Sequence, residues 1–281
     1  MNNPVKVLAG GTLGDAFLIV CRLKALHDIY GVNFELTRPS RPSNVYFDTP
    51  IASLFSLIPY VEYIGHRTDC ASIYEHGTDD DRVGLRKLGY DICPISTAGI
   101  QSVFDKYTTP TCFFQVDSPD IALDENPIVI QVQGGKYQAL HGHMRGFALK
   151  TLYDMCEYFI KAGNSVYLIG VNHPILADDD KLEKLAEETG AHNCVGKTTL
   201  VEAISMVSRA KYFIGFDGFF TFFAPSQRVK TLQFSHLEYN PRIDFECPCW
   251  FDYTTMIRPI PAGAPIIVPM EMLERAVCKE L

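Results

Sequence analysis

Strands alternating with helices, glycine-bearing turns at the strand ends, and an acidic, proline-marked break near mid-chain predict an α/β protein of two βαβ domains. Each domain is expected to hold a parallel sheet covered on both faces. Val5–Leu8 is a short apolar run that meets the turn Ala9-Gly10-Gly11-Thr12-Leu13-Gly14-Asp15. An apolar stripe at Phe17, Val20, Leu23 and Leu26 follows, so the order is strand, tight loop, helix. Residues 33–37 read as a second strand, and shorter elements are expected at 45–47, 51–58, 61–64 and 112–116. Between Ser118 and Pro127, prolines and acidic residues separate apolar segments, as interdomain linkers commonly do. The expected domains are therefore 1–122 and 123–269, with a helix over 270–281 that packs back toward the first.

The second half alternates more cleanly. Strands are expected at 128–132, 165–170, 193–195 and 211–215, and a last one at 229–234. Helices fall at 147–162, around Leu182, Leu185 and Ala186, around Leu200, Ala203, Ile204 and Val207, and at Phe219–Ser226. Two such domains imply a cleft, because ligands of open α/β sheets bind beyond the carboxyl ends of the strands. The strand-to-helix turns are where functional residues belong.

With 281 residues, 47% of them hydrophobic, the chain can bury one large core or two domain cores. A formal charge of −8 provides no general attraction to phosphate backbones or anionic lipid. The nine cysteines lack the spacing of a disulfide scaffold and read as reduced, in a cytoplasmic protein. No basic and apolar leader opens the sequence, and no apolar run approaches the roughly 18 residues of a membrane span.

Three turns carry candidate chemistry. In the first, Gly11, Thr12 and Gly14 let backbone approach a ligand and Asp15 places a carboxylate at a helix start, where capping that helix is the competing role. In the second, Gly134, Gly135 and Lys136 run on through His141 and His143 to Arg145, cations and amides suited to a diphosphate. In the third, Asp217-Gly218-Phe219 follows a strand, with the amides of Gly218 and Phe219 expected to point at an anion. Other motifs fail. The segment from Gly190 to Thr198 resembles a phosphate-binding P-loop, but five residues separate its glycines and a helix precedes it. Asp79-Asp80-Asp81 and Asp178-Asp179-Asp180 read as solvated charge runs, and His141/His143 and Cys247/Cys249 lack the partner pair of a zinc site, so no metal is expected.

Taken in order, these segments resemble glycosyltransferase family 9, whose best-known members are ADP-heptose:lipopolysaccharide heptosyltransferases. Gly14-Asp15 looks like the family's amino-terminal Gly-Asp turn, residues 130–135 like its strand and glycine loop, and Arg145-Gly146-Phe147 like its Lys-x-Trp element. Gly196-Lys197-Thr198-Thr199-Leu200 is similar to its Gly-Lys-Thr-x-Leu turn, and residues 210–217 to the strand that ends in its Asp-Ser/Thr-Gly loop. The departures are Arg145 for lysine, Phe147 for tryptophan, Gly218 for serine or threonine, and Phe222 for a common histidine.

The resemblance implies a GT-B fold: two Rossmann-like domains facing each other across a cleft, acceptor on the first and nucleotide sugar on the second. It implies inverting, metal-independent transfer from an ADP-sugar, heptose-like donor to a hydroxyl of a glycan or lipopolysaccharide core, with no cofactor required. Asp15 would be the general base, beside Gly11, Thr12 and Gly14 on the acceptor side. Arg145, Lys136 and the amides at Gly134, Gly135, Gly218 and Phe219 would stabilise the departing diphosphate. Asp217 would hold sugar hydroxyls, and Thr198, Thr199 and Leu200 would line the base. Two alternatives stay open: transfer to a modified DNA base, for which Arg38, Arg41, Arg82, Arg86 and Lys87 are the local cations, and a binding protein that has lost the chemistry.

Overall fold

A computed structural model describes residues 3–8, 10, 12–39, 48–67, 113, 116, 118–133, 146–171, 179–235, 248–257 and 265–277. The chain divides into two compact units, Met1–Asp117 and Ser118–Leu281.

In the first unit, β1 (Val5–Leu8), β2 (Phe34–Pro39) and β3 (Val61–Arg67) form a parallel sheet in that order. Helix α1 (Leu13–Tyr30) links β1 to β2, and α2 (Asp48–Ser56) precedes β3. The apolar stripe expected at Phe17, Val20, Leu23 and Leu26 of α1 is buried, and so are Ala25 and the other residues from Gly14 to Leu23, as in a helix that is covered all round. The helix stops at Gly31, whose φ of 64° is left-handed and whose N–H bonds back to the His27 carbonyl at 2.7 Å. The element expected at 45–47 lies outside the described residues, and Phe113 and Val116 belong to no strand.

In the second unit, β4 (Pro127–Gln131), β5 (Ser165–Ile169), β6 (His192–Asn193), β7 (Tyr212–Phe216), β8 (Lys230–Phe234) and β9 (Thr254–Ile257) make one parallel sheet. Its order is β6-β5-β4-β7-β8-β9. Helices α3 (Leu149–Lys161), α4 (Asp179–Thr189), α5 (Leu200–Ser208) and α6 (Phe219–Ser226) lie between successive strands. A 3-10 turn (Pro248–Tyr253) precedes β9 and α7 (Met270–Val277) ends the described chain. Residues 229–234 were expected to hold the last strand. Strand β9 extends the sheet by one more, and its four residues, Thr-Thr-Met-Ile, hold only two apolar side chains.

Period-two alternation sorts the residues of each strand between two faces. One face carries Ile128, Ile130, Val166, Leu168, Tyr212, Ile214, Phe216, Leu232 and Phe234, which pack with Leu152, Met155, Cys156 and Phe159 of α3 and with Leu182 and Leu185 of α4. Leu273 and Val277 of α7, both wholly buried, join this core, so the described packing of the carboxy-terminal helix lies within the second unit. The other face carries Phe213, Gly215, Thr231 and Gln233.

The proline-rich break belongs to the second unit as well. Ser205 Oγ donates to the Pro119 carbonyl, Arg209 to the Ile121 carbonyl at 3.0 Å, and Ser165 Oγ to the Glu125 carbonyl at 3.0 Å. Tyr167 O–H donates to Asp124 Oδ2 at 3.0 Å and accepts from the Asp124 N–H at 2.9 Å. These bonds explain why the division falls at 117/118 rather than at 122/123.

Among the described glycines, Gly215 has the least room for a side chain. A Cβ there would lie 2.7 Å from the Phe213 ring and 2.9 Å from Gln131 Oε1. Gly215→Ala is therefore expected to destabilise the protein by about 1–3 kcal/mol through overpacking, read as a lower urea midpoint at unchanged slope.

Candidate functional site

Because every strand of the second sheet is parallel, all the strand-to-helix turns lie along one edge. From β4 the connection runs through β5 to β6 on one side, whereas β7, β8 and β9 continue on the other, so the order reverses between β4 and β7. That is the switch point at which open α/β sheets form their ligand crevice.

The register shows what stands there. Ile130 is level with Ile214, which brings Gln131 beside Gly215, and Gly215 is level with Gln233. Two residues further along the same face come Gln133, Asp217 and Ser235. Otherwise apolar strands thus end in polar groups at the switch point. Gln233 Nε2 donates to Asp217 Oδ1 at 2.6 Å, and Ser235 Oγ donates to Asp217 Oδ2 at 2.8 Å. Gln233 and Ser235 are 0% exposed, whereas Asp217 is half-buried. Gln233 Oε1 is buried and has no hydrogen-bond partner, a condition that costs about 1–3 kcal/mol. Gln133, also buried, donates Nε2 to the Val171 carbonyl and leaves its Oε1 in the same state.

Helix α6 starts directly after Asp217. Gly218 has φ 154°, a conformation that residues with a Cβ rarely adopt. Its N–H was expected to face an anion; it donates to Thr221 Oγ1 at 3.1 Å. The Phe219 ring is buried and stacks on Phe223 at 5.5 Å, so only the backbone of Phe219 remains for a ligand. The chain leaves β4 at Gln133 and returns at Gly146, where the two residues form an antiparallel bridge. Phe147, at the tryptophan position of the resembled motif, is a core residue, with its ring 4.5 Å from Phe216 and 5.1 Å from Phe234.

On the far side of the switch point, Gly196 N–H bonds the Gly170 carbonyl at 2.9 Å and fixes the turn that carries Thr198, Thr199 and Leu200. Thr198 Oγ1 lies 3.5 Å from the Cys194 carbonyl, Leu200 is half-buried and opens α5, and Thr199 caps that helix. Thr199 N–H and Oγ1 donate to Glu202 Oε2 at 2.7 and 2.8 Å, and Glu202 N–H returns a bond to Thr199 Oγ1 at 3.2 Å. In the first unit, Asp15 has the same role. Thr12 N–H and Oγ1 donate to Asp15 Oδ2 at 2.7 and 2.9 Å, so Thr12 is the N-cap and Asp15 the third residue of the helix, 5% exposed. Gly14 is buried beside it. Gly11, Gly134, Gly135, Lys136 and Arg145 lie outside the described residues. Arg38, one of the cations considered for a DNA-facing groove, is 1% exposed and cannot line one; Arg41, Arg82, Arg86 and Lys87 lie outside the described residues.

The sequence held signals for residues not singled out. Glu202 completes a capping box, Thr-x-x-Glu at 199–202, as Asp15 does at 12–15. Gln131-Val132-Gln133 and Gln233-Phe234-Ser235 alternate polar with apolar residues where buried strands end.

No protein-family model matches the sequence, and no curated protein sequence matches it. Solved structures do. E. coli ADP-heptose LPS heptosyltransferase II aligns over 99% of this chain and 98% of its own, with 12% identity and a TM-score of 0.62. E. coli heptosyltransferase WaaC, solved with ADP-2-deoxy-2-fluoro heptose, aligns over 99% and 100%, with 10% identity and a TM-score of 0.63. A family 9 glycosyltransferase from Veillonella parvula aligns over 90% and 85%, with 13% identity and a TM-score of 0.61. The fold is that of the heptosyltransferases. Within the heptosyltransferase fold, the second sheet presents Asp217 and the Thr198–Leu200 turn on one edge. They are separated by the three strand spacings from β6 to β7, roughly 14 Å at about 4.8 Å per spacing. Among the described residues, no group of three or more His, Cys, Asp or Glu could hold a metal ion, and no helix is long and apolar enough to cross a membrane.

The hydrogen bonds from the Thr199 backbone and side chain hold the Glu202 carboxyl below its ordinary pKa. A carboxylate with a depressed folded-state pKa contributes stability above its unfolded pKa and loses it as pH falls through the folded value. Glu202→Gln is expected to lower the melting temperature at pH 7, and the gap to the parent should close in melts below the ordinary carboxylate range.

Proposed function

We propose that the protein is an inverting glycosyltransferase that moves a sugar from a nucleotide-sugar donor to a hydroxyl acceptor. The observation that carries this reading is the Asp217 carboxylate, held by Gln233 and Ser235 at the switch point of a heptosyltransferase fold. A carboxylate fixed there accepts hydrogen bonds from sugar hydroxyls, and the turn at Thr198–Leu200 stands at the distance an elongated ligand would bridge. An ADP-linked, heptose-like sugar is the proposed donor, since the solved relatives include a heptosyltransferase with an ADP-heptose analogue. The proposed acceptor is a glycan or lipopolysaccharide core, and the proposed setting is the cytoplasm.

In this mechanism the acceptor hydroxyl attacks the anomeric carbon as the bond to the nucleoside diphosphate breaks, and configuration inverts. Asp15 takes the hydroxyl proton. Arg145, Lys136, the amides of Gly134 and Gly135 and the Phe219 N–H stabilise the leaving diphosphate without a metal. The Gly218 N–H, engaged by Thr221, is dropped from that set. Transfer to DNA has no support in the described residues, because Arg38 is buried.

A thermal-shift screen tests the donor class: the matching nucleotide sugar should raise the melting temperature, as any ligand specific to the native state does. No shift with any nucleotide sugar would overturn the reading, and a shift without transfer or hydrolysis would mark a binding protein. The assignments of Asp15 and Arg145 separate kinetically, in assays run with a chelator present. Asp15→Asn keeps an acceptor for Thr12, so stability and donor binding should hold while turnover falls by roughly 10²–10⁴. Turnover near the parent rate would leave Asp15 only its cap. Arg145→Ala should weaken donor and free nucleoside diphosphate binding as well as turnover, by a few kcal/mol in total if the site is desolvated.

A further inference from the structure

Gln233 sits where an apolar residue would pack at less cost. On its face of β8 it stands between Thr231 and Ser235, it is 0% exposed itself, and its Oε1 finds no partner. Residues that break a local packing rule in this way are commonly kept for a site rather than for the fold. What Gln233 does make is one 2.6 Å bond, from Nε2 to Asp217 Oδ1. Ser235, equally buried and two residues further along the same face, binds the other oxygen at 2.8 Å. The Asp217 N–H meets the Phe234 carbonyl at 3.3 Å, which ties the aspartate backbone to the same strand. Asp217 is thus held by β8 at its backbone and at both carboxylate oxygens.

We infer that Gln233 and Ser235 are positioning residues that aim the Asp217 carboxylate at a vicinal pair of sugar hydroxyls, and so set the preference for a nucleotide sugar over the bare nucleotide. An ionised carboxylate has about four acceptor positions, and fixing one on each oxygen fixes the directions of the others. A carboxylate that rotates must be ordered when it binds, whereas this one is ordered by the fold. Neutral donors suit this role, because they orient the group and leave its charge in place. The inference rests on the nucleotide-sugar reading and deepens it.

The test is calorimetric titration of the full-length protein with ADP-, UDP-, GDP- and TDP-sugars, each beside its free nucleoside diphosphate. The pair that binds is then measured on Gln233→Met and Ser235→Ala. Each variant should bind the nucleotide sugar roughly tenfold more weakly, the loss of a hydrogen bond to a charged group. Affinity for the free nucleoside diphosphate should stay unchanged, and Gln233→Met should melt no lower than the parent, because the orphaned amide oxygen goes with it. Equal weakening of both ligands, or no weakening of either, would overturn the inference and leave the donor reading standing. A parent protein that binds no nucleotide sugar of the panel would overturn both. Should Gln233→Met fail to fold, Ser235→Ala carries the comparison alone, since it removes a single oxygen.

Discussion

The pairing of β4 with β7 is the constraint on which the second unit depends. These strands are far apart in sequence, yet Ile128, Val129 and Ile130 lie level with Tyr212, Phe213 and Ile214. Once that pairing forms, the connections from β4 to β6 fill one side of the sheet and those from β7 to β9 the other. Both sets open at the same edge. The pairing also explains Gly215: with the Phe213 ring and Gln131 closing over it, no room is left for a side chain. The polar ends of β4, β7 and β8 then meet, although no two of them are near in the chain.

Burial and polarity oppose each other at that meeting point. The sheet interior is assembled from apolar side chains, and a buried amide oxygen without a partner works against it. Gln133 and Gln233 are the described cases in this sheet, and both stand at the carboxyl edge. Several other buried polar groups of the second unit are engaged: Thr221 serves the start of α6, Ser226 donates to the Phe223 carbonyl, and Thr151 accepts from the Val268 N–H. The two amide deficits lie where the fold offers a ligand crevice, whereas Thr254 Oγ1 is left without a partner at the start of β9.

Much of this was legible in the sequence. Period-two and helical patterning located β1, β4, β5 and α6 to within a residue or two, because each is an apolar-rich run. β9, with only two apolar residues in its four, gave no such run, and the burial of α1 on all sides is set by packing that local sequence does not encode. Asp217 was found as a carboxylate on a strand-to-helix turn. Gln233 and Ser235 were not, since their relation to Asp217 exists only through the register of β7 and β8. For Asp15 the sequence offered a choice between base and cap. The capping box places it in the second role and leaves the first to kinetics.

The bridge between Gln133 and Gly146 has a bearing on how such a protein diversifies. Twelve residues separate the two, and both ends are anchored in the sheet's own hydrogen bonding: Phe147 N–H to the Val132 carbonyl, and Ile266 N–H to the Gly146 carbonyl. These are all backbone bonds, so the places of Gln133 and Gly146 in the sheet do not depend on which side chains they carry. Evolution can therefore change what this edge binds without moving the frame that presents it.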